Sequence, residues 1–193
     1  MLIIIEGPDL AGKSTFASYL PNAIHFTQND AHYMYEAELE RAKTDLVVLD
    51  RCWISEKVYG PIKRQQCTYT DEEYTLLCDK LKAIPHSIFY VTSPVNMLLE
   101  RYNMRGEDYV TQQELIEIAN AYSNVMKDLD KRGLRIYEVC TTLYNNAFNG
   151  RTLPKYTAPV SLDETDNAPQ KKSKAEDDLD AQIAAIKAML AKL

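Results

Sequence analysis

Five short apolar runs punctuate the first 140 residues: Leu2–Ile5, Ala23–Phe26, Leu46–Leu49, Ser87–Val91 and Leu134–Val139. Each has the length of a strand and sits between polar or turn-forming residues. Between them, apolar positions return every three or four residues. That spacing predicts helices over Tyr33–Lys43, Ile54–Arg64, Asp71–Lys82, Val95–Asn103 and Thr111–Leu129. Thr111 followed by Glu114 is a capping-box pair at the start of the last of these. A further helix is expected to begin near Thr15 and run to Leu20. Strands alternating with helices need long crossovers, so the sheet is parallel and covered on both faces. The expectation is an α/β fold with five strands. Ligands bind such sheets at the carboxyl ends of the strands, and Gly7, Asp50 and Thr92 all lie just past such ends.

The pattern changes near Leu153. Residues 154–174 carry Pro159, Pro169 and many Ser, Asp, Asn and Lys residues, with few large apolar ones. This reads as a flexible linker after a domain spanning 1–153. Residues 175–193 then place Leu179, Ile183, Ile186, Leu190 and Leu193 at spacings of four, three, four and three. That is an amphipathic tail helix with an a/d seam. So short a helix is marginal alone. Its stripe must be buried against its own domain or against another copy, and homo-oligomerisation through the tail is one of these two expectations.

Chemistry enters at the first strand. Gly7, Pro8, Asp9, Leu10, Ala11, Gly12, Lys13 and Ser14 form a complete G-x-x-x-x-G-K-S loop between a buried strand and a helix that opens at Thr15. In that context the backbone N–H groups wrap a phosphate chain. Lys13 reaches the β- and γ-phosphates, and the Ser14 hydroxyl meets Mg²⁺. ATP with Mg²⁺ is the cofactor implied. Asp50 follows the third run, where phosphate-loop enzymes hold the magnesium shell, and Arg51 beside it is a charged fork suited to phosphate. Ser55 and Tyr59 share a helical face with Arg51, and Trp53, the sole tryptophan, opens that helix. Arg101 and Arg105 lie four apart before Gly106, as arginines on a lid over a negatively charged transition state would. Lys13, Asp50, Arg101 and Arg105 are therefore the candidate catalytic residues.

Composition narrows the field. The chain has 193 residues, 46% of them hydrophobic, which supports one domain with a real core. A net charge of −6 gives no overall field for gripping nucleic acid, although Lys57, Lys63 and Arg64 could form a local strip. Cys52, Cys67, Cys78 and Cys140 show no C-x-x-C spacing, and His25, His32 and His86 are scattered. Reduced thiols, no zinc site and no catalytic histidine are expected. No run reaches transmembrane length and no basic leader precedes Leu2, so no membrane partner and a cytoplasmic location are expected.

These residues resemble a known family. Glu6 to Thr15 is similar to the E-G-x-D-x-A-G-K-S-T opening of thymidylate kinases. Asp50-Arg51 with Ser55 and Tyr59 resembles their D-R-Y-x-x-S segment, and Arg101–Arg105 resembles the lid of thymidylate and deoxynucleoside kinases. The likeness covers roughly residues 1–140 and has a bacteriophage style. It implies a P-loop NTPase three-layer sandwich. It also implies that Asp9, Phe26, Arg51, Trp53 and Tyr59 bind the acceptor. Two positions depart from the pattern. His25-Phe26-Thr27-Gln28 keeps only the aromatic of the usual segment after the second strand. Leu10 stands where some members carry an arginine, which leaves the work to the lid arginines. The implied activity is transfer of the ATP γ-phosphate to a deoxypyrimidine nucleotide, dTMP or 5-hydroxymethyl-dUMP. One alternative is a phage kinase acting on the 5-hydroxymethyl group of 5-hydroxymethyluracil in DNA. For that acceptor Asp9, Asp30 or Asp50 would supply a base. Another is a nucleotide-dependent switch without catalysis.

Overall fold

The computed structural model describes residues 1–27, 32–106 and 109–141. Asp30, the linker over 154–174 and the amphipathic tail over 175–193 lie outside the described residues. Residues Met1–Val139 form one compact unit, and the chain from Cys140 onward belongs to a second.

The central strand β1 (Leu2–Glu6) is buried at every residue. It pairs in parallel with β3 (Val47–Asp50) on one side and β4 (His86–Thr92) on the other, with Ile5 opposite both Asp50 and Phe89. β2 (Ile24–His25) pairs in parallel outside β3, and β5 (Ile136–Cys140) lies outside β4. The order is β2-β3-β1-β4-β5. Leu2–Ile5 and Val47–Leu49 are continuous apolar runs because both faces of these strands are covered. Fully burying each such side chain contributes roughly 1.5–3 kcal/mol before entropy is counted.

Helices α1 (Lys13–Ala17), α2 (His32–Arg41), α3 (Trp53–Arg64), α4 (Asp71–Lys82), α5 (Val95–Arg105) and α6 (Gln112–Lys131) fill the connections. Phe89 and Tyr90 are neighbours on β4 and must point to opposite faces. Phe89 meets Phe16 at 5.2 Å, close to α1's centre, whereas Tyr90 stacks on Tyr122 of α6 at 6.2 Å. α1 and α6 therefore lie on opposite faces, which makes three layers.

Most of the predicted boundaries shift by one to three residues, among them those of β2, α1 and α5. β2 is two residues long rather than four, since only Ile24 and His25 stand in register with β3, Phe26 adding a single N–H to the Asp50 carbonyl. α1 stops at Ala17 because Tyr19 and Leu20 donate to Phe16 and Ala17, three residues back, tightening the chain out of α geometry. α5 runs on to Arg105. The capping box at Thr111 is present in full, Glu114 N–H donating to the Thr111 hydroxyl and Thr111 N–H to the Glu114 carboxylate.

Candidate active site

The loop from Gly7 to Gly12 is shaped by its glycines. Gly7 has φ +148°, and a Cβ there would stand 1.9 Å from the Val91 carbonyl oxygen, so only glycine lets β1 turn away this close to β4. Leu10 and Gly12 both take left-handed conformations, φ +63° and +99°. Inside this turn Lys13 is buried, its ammonium donating to the Pro8 carbonyl at 2.7 Å and lying 4.0 Å from Asp9. Burial, and then the facing Arg51 guanidinium, push the Lys13 pKa down from 10.5 to about 7, against the pull of Asp9, Glu6 and Asp50. Ser14 is exposed at the start of α1.

Asp9 leaves the loop toward α3. Its carboxylate accepts from Arg51 Nη2 at 2.5 Å and from the Tyr59 hydroxyl at 2.8 Å. Burial opposes its charge, but Lys13 and Arg51 outweigh it and hold its pKa below the usual value. Arg51 itself sits at φ +72°, an unusual conformation for a residue other than glycine, and its guanidinium lies 5.1 Å from the centre of the Tyr59 ring. Burial opposes its charge too, yet Tyr59, Tyr122 and Asp9 keep it firmly protonated. The phosphate loop, through Asp9, and the start of α3, through Arg51 and Tyr59, thus converge on one cluster.

Asp50 ends β3, buried. One carboxylate oxygen meets His25 Nδ1 at 3.0 Å, while Oδ1 is buried and has no hydrogen-bond partner among the described residues. An orphaned carboxylate oxygen beside a phosphate loop suits a divalent cation. Asp50 would offer this oxygen to the magnesium expected from sequence, with Ser14, exposed at the start of α1, as the second residue that would hold it. His25, expected to be idle, holds the other oxygen of that carboxylate.

The lid arginines separate. Arg101 is buried, and its Nη1 donates to the Leu10 carbonyl at 2.5 Å. It braces the phosphate loop through the left-handed residue at its tip. Arg105, one turn further on, is exposed at the end of α5, just before Gly106 at φ +68°.

Beside Arg51 a cavity is lined by Phe26, Tyr35, Ser55, Tyr59 and Tyr69 among others. Phe26 packs on Tyr35 at 4.7 Å. Trp53 does not line the cavity. It is fully buried and meets Tyr35 edge-on at 5.9 Å, so its part is core packing behind the aromatic wall. The sequence reading missed Glu6 as a builder of the site. This wholly buried carboxylate accepts from Cys52 N–H at 2.8 Å, Ser55 Oγ at 2.7 Å and the Tyr122 hydroxyl at 2.9 Å. It pins β1, the start of α3 and α6 together under the cavity. A carboxylate ending an apolar strand was the available signal.

No family model matches this chain. It is 26% identical over 146 residues to YorR, a protein derived from the SPbeta prophage of Bacillus subtilis, covering 70% of this chain and 86% of YorR. The crystal structure of YorR in complex with phosphorylated GDP superposes with a TM-score of 0.59, covering 72% of this chain and 84% of that one. A deoxyadenosine kinase from M. mycoides with bound dCTP, 15% identical, gives a TM-score of 0.51 over the full length of both chains. The fold is the P-loop NTPase α/β sandwich, with a parallel five-stranded sheet.

Proposed function

We propose that this chain is a nucleoside monophosphate kinase, transferring the γ-phosphate of ATP to a deoxypyrimidine monophosphate, dTMP or its 5-hydroxymethyl analogue. One observation carries the reading. Of the carboxylates described around the phosphate loop, Asp9 is engaged by Arg51 and Tyr59 and Glu6 by three donors, while Asp50, whose Oδ1 has no partner among the described residues, is the one that would hold Mg²⁺. A hydroxyl acceptor needs a free carboxylate to take its proton. A phosphate acceptor arrives ionised, its second pKa being about 6, and needs none. The cluster therefore favours a monophosphate over a hydroxymethyl group in DNA.

The roles follow from position. Lys13 swings from Pro8 onto the β- and γ-phosphates of ATP. Arg51, shared with Asp9, receives the acceptor's phosphate, while Asp9 and Tyr59 hold the sugar side. Arg105 moves over the transferring group and offsets its charge, and Arg101 keeps the loop in shape. Ser14 and Asp50 would hold Mg²⁺, which when bound neutralises charge on the phosphates. The YorR relative comes from a prophage, which goes with a phage-encoded enzyme working in the host cytoplasm. A guanine nucleotide as a ligand of this site is the second reading, favoured by the phosphorylated GDP bound to YorR.

Incubation of the purified chain with labelled ATP decides between these. The acceptors are dTMP, 5-hydroxymethyl-dUMP, dGMP, GMP and duplex DNA containing 5-hydroxymethyluracil. Label is expected on a pyrimidine monophosphate. Label on the DNA alone would overturn the reading, and label on dGMP or GMP would install the second one.

A further inference from the structure

The cavity beside Arg51 has a wall from outside the motifs. α3 ends at Gln65, whose φ of +60° turns the chain back. The returning segment lies directly on α3 at Gly60. A Cβ there would stand 2.7 Å from the Gln66 carbonyl oxygen and 3.0 Å from Cys67 Cα. One turn earlier, Glu56 grips the same segment. Its Oε1 accepts from Thr68 N–H at 2.8 Å and from the Thr68 hydroxyl at 2.6 Å, and both its oxygens lie 2.5 Å from Arg64 Nη2. Burial opposes that carboxylate's charge, but the bonds from Arg64 and Thr68 prevail and keep it ionised. At the far end Thr70 caps α4 in a capping box with Glu73. Residues 65–70 are thus clamped along their length. The tyrosine in the middle of the clamp, Tyr69, is 8% exposed and lines the cavity with Phe26, Tyr35 and Tyr59.

A connection between two helices needs no buried tyrosine and no four-bond carboxylate to hold it. We propose that Tyr69 is a specificity-determining residue for the acceptor's base, and that Glu56 is its positioning residue. The inference rests on the reading of the cavity as the acceptor site. The ligand class is the planar heterocycle of a nucleoside monophosphate, which an aromatic wall accepts by face and limits by size. Arg51 and Asp9 hold the phosphate and sugar at one end, so a wall at the other decides how large a ring fits between.

The test uses the full chain with saturating ATP and dTMP, dCMP, dGMP and dAMP as acceptors. Tyr69→Ala is expected to raise KM for the preferred monophosphate about tenfold and to narrow the kcat/KM ratio between pyrimidines and purines. KM for ATP and kcat are expected to hold within about threefold, since the loss is in acceptor binding. Tyr69→Phe keeps the wild-type ranking. Glu56→Gln shifts the ranking in the same direction, more weakly, and so does Gly60→Ala, whose Cβ would press on the Gln66 carbonyl and on Glu56 Oε1 and lift the segment. Hydrogen exchange over 65–70 is expected to slow when the monophosphate binds, in the absence of ATP. Unchanged acceptor KM and ranking in a folded Tyr69→Ala, or in Gly60→Ala should the former not fold, would overturn the proposal alone. A wild-type chain that phosphorylates no monophosphate would overturn the acceptor-site reading and this inference with it.

Discussion

Lys13 carries a consequence that is measurable without any acceptor. In the folded chain its pKa is about 7, against 10.5 for an unhindered lysine, because the ammonium is buried and faces Arg51. Between those two values the folded chain holds fewer protons than the unfolded one, so stability rises with pH across that window. The cost of burying the charge is complete below pH 7 and is gone above pH 10.5. ATP brings negative charge to the ammonium and restores its proton. Nucleotide binding at pH 8 should then take up close to one proton, and at pH 6 far less from this group. Calorimetry in buffers of different ionisation heat measures the uptake, and Lys13→Met should abolish it at pH 8. Lys13→Ala should also abolish phosphoryl transfer while the fold survives, and turnover above about a tenth of wild type would sink the phosphate-loop assignment. Asp9 makes the complementary case. It is engaged by Arg51 and Tyr59 rather than free, so Asp9→Asn should raise the acceptor KM and leave turnover measurable. Complete loss of turnover in a folded Asp9→Asn would argue for a base and a hydroxyl acceptor. These single positions were legible because G-x-x-x-x-G-K-S and the carboxylate that ends β3 are local patterns. Glu6 was not, because its three donors lie 46, 49 and 116 residues away. Trp53 went the other way: an aromatic at a helix start reads alike whether it faces a cleft or the core.

The two arginines of α5 stand in different surroundings. Arg101 braces the Leu10 carbonyl from a buried position, and Arg105 stands exposed one turn on. Arg105→Ala should lower kcat with ATP binding nearly intact, as an interaction made only in the transition state requires. Arg101→Ala should weaken ATP binding as well, by loosening the loop. Direct titration with a non-hydrolysable ATP analogue separates the two, and identical effects from both would refute separate roles. Sequence spacing showed that both lie on one face of the helix. It could not show that the face is half covered, since cover comes from a loop some ninety residues earlier. The helix α6 was legible down to its cap, because the capping box is local. Thr111→Ala should cost about 1 kcal/mol in chemical denaturation, and no change would mean the cap is idle. β2 was overestimated for the opposite reason: strand length is fixed by a partner, and β3 offers it only two residues.

At the scale of the molecule, all the site residues named above belong to the unit Met1–Val139. Deleting residues 157–193 should leave a folded, ATP-binding chain, checked by thermal melting with and without nucleotide. Aggregation of the shortened chain would show instead that the tail covers an apolar face. Among the described residues no helix is long and apolar enough to cross a membrane. The alternation of strands and helices made the sheet legible in advance. The order of strands was not spelled out by it, because order depends on which crossover lands beside which strand.

That order also sets a schedule for synthesis. β1 is the middle of the sheet, yet its neighbours are made much later: Leu2 pairs with Val47 and with His86. At ribosomal speeds of roughly 5–20 residues per second, Leu2-Ile3-Ile4-Ile5 waits on the order of 4–17 s for its second neighbour. During that interval it is a bare, strongly β-prone segment, of the kind that pairs with other chains when left uncovered. Its own partners must be delivered across long stretches of chain, which slows assembly further. The same burial that anchors the finished phosphate loop therefore makes the nascent chain a natural client for chaperones.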